Sequence, residues 1–307
     1  MRAYFTIITA ILLVLTSACQ ADPEPNDAPS PAPSENSQAT DNAASPTPDM
    51  PEQRADMRAN IEADMSTGEA KEDMVAAPTG CDAAPAVVEL QTSDGVKLVA
   101  DYIPAKSSDR GVVILLHMIP PNFDRSSYPD RVKEAINALD LNVLNVDRRG
   151  AGDSEGDAVD AYTGLTARLD VEAAVSFMLA REGACAIDPG KITLIGASNG
   201  TTAVLDYTVN RSDADLPDPN ALVWLSPGSY TENQNKLSEN KAKLDPIPLL
   251  IIHPDSEPWA TQLTDVAQTC KIVEIDGGAH GTANFDDGAK EAIQLPEIIS
   301  WLETHTK

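Results

Sequence analysis

Lys191-Ile192-Thr193-Leu194-Ile195-Gly196-Ala197-Ser198-Asn199-Gly200-Thr201-Thr202-Ala203-Val204-Leu205 reads as a strand, a sharp turn and a helix, with a serine at the apex. The β-branched, apolar start suits a strand, and the small residues after Gly200 suit a helix packed closely on it. Gly196 and Gly200 let the backbone turn tightly and let strand and helix approach, which pushes Ser198 out at the top of a sheet. The helix that follows aims its first N–H groups at the same spot. A nucleophilic hydroxyl needs such a place.

Working outward from that stretch, strand and helix patterns alternate. Residues 87–90 and 96–102 read as strands around Ser93-Asp94-Gly95, a hairpin signal. Residues 111–116 form a continuous apolar run, as a strand buried on both faces requires. Further strands are expected at 142–146, 192–195, 221–225, 248–252 and 271–275, and helices at 128–139, 166–180, 201–209 and 291–304. An opening hairpin followed by repeated strand–helix units predicts an eight-stranded, mostly parallel α/β sheet with helices on both faces. The interval from Ser226 to Ile247 has room for a helix and none for a large cap domain.

Ligands bind such sheets at the carboxyl ends of the strands. His117, Asp147, Ser198, the segment His253 to Glu257, and His280 all fall at such ends. Ser198 is the candidate nucleophile, although a serine at this point also serves as a plain helix cap. Among the four histidines, His280 lies between Gly278-Ala279 and Gly281 on what reads as an open, mobile loop, with room for a general base to swing. His117 and His253 end apolar strands and read as structural, and His305 lies in a polar tail. An acid must orient the imidazole and stabilise its charged form. Asp255 and Glu257 both follow the seventh strand, and Glu232 after the sixth is a more distant candidate. An oxyanion hole needs two N–H donors. Asn199 supplies one by its backbone, and Met118 or Ile119 the other, since Pro120 and Pro121 have no N–H.

Four matches, taken in order, make the region from Val87 to Lys307 similar to the α/β-hydrolase superfamily. They are Leu116-His117, Asp147-Arg148-Arg149-Gly150-Ala151-Gly152-Asp153-Ser154, Gly196-Ala197-Ser198-Asn199-Gly200 and Gly277-Gly278-Ala279-His280-Gly281. The chain most resembles the lidless, dienelactone-hydrolase-like and general esterase members. The resemblance implies the chain order Ser, acid, His, places Glu257 at the acid position and Ile119 at the second oxyanion donor, and gives the 147–154 stretch a supporting role. Two positions depart from the family. Met118 stands at a usual glycine, and Pro254 at another, which keeps Asp255 open as the acid. The implied activity is a serine hydrolase acting on a small-molecule or acyl-bearing ester through an acyl-enzyme, with no cofactor and no metal. A peptidase, thioesterase or acyltransferase uses the same parts. A binding protein that kept the scaffold without catalysis is the rival from another class.

Before this domain, Arg2, the apolar run 4–15 and Thr16-Ser17-Ala18-Cys19 have the layout of a signal peptide, too short for a membrane span. The residues before Cys19 resemble a bacterial lipobox, which implies removal of 1–18, lipidation of Cys19 and a membrane anchor in the cell envelope. Gln20 by the same resemblance favours the outer membrane. Residues 19–80 are rich in Pro, Ala, Ser, Asp and Glu, and read as a disordered acidic tether spanning about 40 Å. The folded domain is then 81–307. With 48 acidic residues against 22 basic, a net charge of −26 argues against nucleic-acid binding. Cys81, Cys185 and Cys270 allow one disulfide in an exported domain, with no pair preferred.

Overall fold

Val112, Val113, Ile114, Leu115 and Leu116 are all fully buried, as a run without alternation demands when both faces of a strand are covered. In the computed structural model, which describes residues 84–228, 235–258 and 267–307, these residues form the centre of a sheet. Its strands are β1 (Ala86–Gln91), β2 (Lys97–Ile103), β3 (Arg110–Leu116), β4 (Asn142–Val146), β5 (Ile187–Ala197), β6 (Ala221–Leu225), β7 (Leu249–Pro254) and β8 (Cys270–Ile275). They lie in the order β1-β2-β4-β3-β5-β6-β7-β8. β2 is antiparallel to both β1 and β4, and every pairing from β4 to β8 is parallel. The expected signal peptide (1–18) and tether (19–80), with Cys19, and also Cys81 and Glu232, lie outside the described residues.

The period-two rule then sorts the core into two layers. Ile114, Leu116, Leu144 and Leu194 share one cluster with Val171 and Val175 of α2 (Arg168–Leu179) and Val204 and Leu205 of α3 (Asn199–Asn210). Val113, Leu115, Val143 and Ile195 share the other with Val132 and Ile136 of α1 (Asp130–Asn137) and Ile298 and Leu302 of α5 (Gly288–His305). Between β6 and β7 the described residues hold a 3-10 turn (Leu237–Glu239) and the four-residue helix α4 (Lys241–Leu244). The hairpin closes where expected: Thr92 N–H donates to the Val96 carbonyl at 3.0 Å, and Gly95 adopts φ 89° at the turn.

Two boundaries differ from the sequence reading for a physical reason. β5 begins at Ile187 rather than 192, because Arg110 pairs with Ile187 across a register irregularity before the regular ladder resumes at Ile192. The polar residues Asp188 to Lys191 carry no strand pattern of their own. α5 starts at Gly288, where the Asp287 carboxylate accepts from Ala289 N–H at 2.8 Å and caps the first turn. Cys185 is a buried free thiol. Among the described residues, no helix is long and apolar enough to cross a membrane.

Candidate active site

Ser198 joins β5 to α3 at φ 50° and ψ −123°, a backbone region that L-residues avoid at a cost of about 1–3 kcal/mol. The turn is held on both sides. Ser198 N–H donates to the Leu225 carbonyl at 2.8 Å, and its own carbonyl accepts from the Thr201 N–H and hydroxyl. The glycine pair explains how the helix fits: a Cβ on Gly196 would sit 2.6 Å from the Gly200 carbonyl, and one on Gly200 2.5 Å from that of Leu116.

His280 follows β8, and its Nε2 lies 2.7 Å from Ser198 Oγ. Its Nδ1 is in close contact with Glu257 Oε1. This chain of contacts puts the proton of the neutral ring on Nδ1, facing the carboxylate, and leaves Nε2 to accept from the serine hydroxyl. The loop is not the open one read from the sequence. Ala279 N–H donates to Asn284 Oδ1 at 2.7 Å and Gly281 N–H to Ser226 Oγ at 2.8 Å, so both neighbours of His280 are tied down. The small residues clear space around the ring, and hydrogen bonds to their backbone hold it.

Glu257, and not Asp255, faces the imidazole. The turn after β7 decides this. The Pro254 carbonyl accepts from His253 Nδ1–H at 2.8 Å and from Glu257 N–H at 3.0 Å, which curls the chain and buries the Glu257 side chain. Asp255 is exposed and turned away, and its carboxylate accepts from Gly277 N–H at 3.0 Å. It ties the β7 turn to the β8 loop. Proline at 254 is therefore compatible with the glutamate arrangement, because the position contributes only its carbonyl.

The loop expected to carry the second oxyanion donor leaves β3 through His117, which is fully buried. Its Nδ1 donates to the Met118 carbonyl at 2.8 Å and its Nε2 accepts from Arg148 N–H at 2.9 Å. Burial first, and the Arg148 charge second, push its pKa down to about 3. It is thus a neutral structural histidine. Met118 packs against the histidine loop, where a Cβ on Gly281 would lie 2.6 Å from Met118 Sδ. Ile119 N–H donates to no group among the described residues. Asn199 opens α3, so its N–H points along the helix axis from the first turn. Among the described residues, no group of three or more His, Cys, Asp or Glu is placed to hold a metal ion.

No family model matches the sequence, and no curated protein matches it either. Solved structures do match. An esterase of Pyrococcus furiosus superposes with a TM-score of 0.58 at 18% identity, over 74% of this chain and 93% of its own. An α/β hydrolase from Penicillium gives 0.56 at 14% identity, over 73% and 99%. A dienelactone hydrolase from Anabaena variabilis gives 0.54 at 15% identity, over 73% and 98%. The chain has the α/β-hydrolase fold.

In that α/β-hydrolase fold the 147–154 stretch forms a wall behind the site. Asp147 is buried and accepts from Arg125 N–H at 2.7 Å and Asp153 N–H at 2.9 Å, and its carboxylate also meets the Arg125 guanidinium. Arg149 is paired with Asp170 at 2.7 Å and Asp94 at 2.8 Å, which fastens the wall to α2 and to the opening hairpin. Sequence reasoning gave this stretch a supporting role and passed over two residues in contact with the site. Ser226, at φ 53° after β6, holds the histidine loop. Arg148 contacts the Met118 carbonyl and the Asn199 side chain. The available signal for Arg148 was a pair of arginines one residue beyond a buried strand.

Proposed function

We propose that this protein is an exported serine hydrolase that cleaves a carboxylic ester or a related acyl bond through an acyl-enzyme on Ser198. The observation that carries the reading is the continuous line Ser198–His280–Glu257, with the hydroxyl 2.7 Å from a ring nitrogen whose partner nitrogen faces a buried carboxylate. The fold shared with the P. furiosus esterase and the dienelactone hydrolase agrees with it.

In the proposed reaction, Ser198 Oγ attacks the acyl carbonyl while its proton passes to His280 Nε2. The imidazolium so formed is stabilised by the Glu257 carboxylate. The carbonyl oxygen, now an anion, accepts from the N–H groups of Asn199 and Ile119. Collapse of this intermediate breaks the acyl–oxygen bond, and His280 returns the proton to the leaving alkoxide. Water then repeats the sequence on the acyl-enzyme, giving the free acid and restoring the serine.

Labelling with a fluorophosphonate probe is the direct test. The parent chain should be labelled, and Ser198→Ala should give no band at equal folded protein. Equal labelling of both, or of neither, overturns the reading.

We also propose that Cys19 is lipidated after removal of 1–18, leaving the domain tethered to the cell envelope. The protein should then partition with membranes, and Cys19→Ser should release it or leave it unprocessed. Recovery of the unaltered protein as a soluble species would refute the anchor.

A further inference from the structure

Arg148 is fully buried and makes no ion pair among the described residues, in contrast to its neighbour Arg149. A guanidinium taken out of water without a contacting carboxylate is costly to bury, and an apolar side chain of similar volume is often the more stable occupant. Burial pushes its pKa down only to about 10, so it stays charged at neutral pH. Asp170 and Asp206 act on it from a distance, and the groups that hold its hydrogen-bonded nitrogens are neutral oxygens rather than a contacting carboxylate.

Its hydrogen bonds all end on two elements of the proposed site and the wall beside them. Nη1 donates to the carbonyls of Met118 at 3.2 Å and His117 at 3.4 Å. Nη2 donates to Asn199 Oδ1 at 2.9 Å and to the Ala161 carbonyl. The Arg148 backbone N–H holds His117 Nε2, and the other nitrogen of that ring donates to the same Met118 carbonyl. Two donors thus draw the Met118 carbonyl to one side. In a planar trans peptide the next N–H points to the opposite side. That N–H belongs to Ile119, which donates to no group among the described residues.

We propose that Arg148 is the positioning residue of the oxyanion hole, its rigid fork fixing the Met118–Ile119 peptide and the start of α3 at a set separation. The inference rests on the serine-hydrolase reading. Arg148 does not touch the substrate. It orients the Ile119 and Asn199 amides and places a positive charge behind both, where negative charge develops in the transition state. Lysine cannot replace it, because one ammonium lacks the planar fork that spans both partners.

The test compares the parent with R148K and N199A, using p-nitrophenyl butyrate for turnover and an alkyl trifluoromethyl ketone as inhibitor. That ketone adds to a serine as a tetrahedral oxyanion, so its affinity reads the hole directly. Rates are expressed per site titrated by fluorophosphonate, which removes any loss due to unfolded protein. R148K should lower kcat by about tenfold to a hundredfold with KM within threefold, since a lost oxyanion donor costs about a hundredfold or more. Its inhibitor affinity should fall by the same factor as kcat/KM. N199A keeps the backbone N–H and cuts one arm of the fork, and should lose about tenfold in kcat. It carries the test alone if R148K does not fold.

Parental kcat and inhibitor affinity in the folded variants would overturn the inference, as would an effect confined to KM, while leaving the hydrolase reading intact. A parent chain that neither reacts with fluorophosphonate nor turns over the ester removes that reading, and the inference with it.

Discussion

Glu257→Gln is expected to lower kcat by about ten-thousandfold, and Asp255→Asn to leave it within threefold of the parent, by analogy with other triads in which the carboxylate is neutralised. The two substitutions preserve shape, so the comparison isolates charge. Glutamine cannot stabilise the imidazolium, and an amide N–H facing His280 Nδ1 would favour the opposite tautomer, with the proton on Nε2 where it blocks the serine. Glu257 is buried, and among the described residues its second oxygen has no hydrogen-bond partner. Asp255 is exposed, and among the described residues its carboxylate accepts only from the Gly277 N–H, a bond that an asparagine oxygen accepts as well. The turnover of both variants, measured after thermal melting confirms folding, decides the point. A crippled Asp255→Asn with an active Glu257→Gln would reverse the assignment of the acid.

Acid should reveal the buried His117. Its pKa is pushed down to about 3 in the folded chain, against about 6.5 when unfolded. The stability this lends is fully present above pH 6.5 and drains away as pH falls towards 3, because only the unfolded chain takes up the proton. At pH 4.5 the loss is about 3 kcal/mol. Asp206 works the other way, since burial raises its pKa to about 6 and stability rises as it takes up its proton with falling pH. The comparison must therefore be a difference. His117→Asn keeps a donor near the position of Nδ1, has no titrating ring, and leaves Asp206 unchanged. Urea unfolding of both chains at pH 7 and pH 4.5 should show the parent losing about 3 kcal/mol relative to the variant. Parallel losses would mean that His117 is open to protonation in the folded state.

The architecture was legible where burial leaves one solution. Residues 142–146 and 221–225 coincide with β4 and β6: β6 is apolar throughout, and β4 buries Asn142 and Asn145 only because their side chains find hydrogen-bond partners in the neighbouring backbone and loops. Ser198 and His280 were legible for a local reason: each sits among small residues that only a sharp turn or a crowded loop requires. The acid was not, since two carboxylates two positions apart are equivalent in sequence. Their difference comes from the Pro254 carbonyl, which two hydrogen bonds use to curl the chain. Arg148 was hidden in a charged, glycine-rich turn read only as a support for the site wall. Its burial depends on Ala161 and Asn199, which the sequence places far from it.

The strand order carries a further consequence, for the way activity is gained. His117, Arg148, Ser198, Glu257 and His280 follow five different strands, and β7 and β8 form the far end of the sheet from β1. Parallel neighbours are joined by long connections, so each pairing waits on a slow, non-local closure. No contiguous fragment of the chain carries a working share of the proposed machinery. The serine and its wall can assemble around β3, β4 and β5, yet the base and its carboxylate arrive only when β7 and β8 have docked. During refolding, ester turnover would return with that docking and lag behind the central strands. The product of the proposed reaction would then be the clock for the last step of folding.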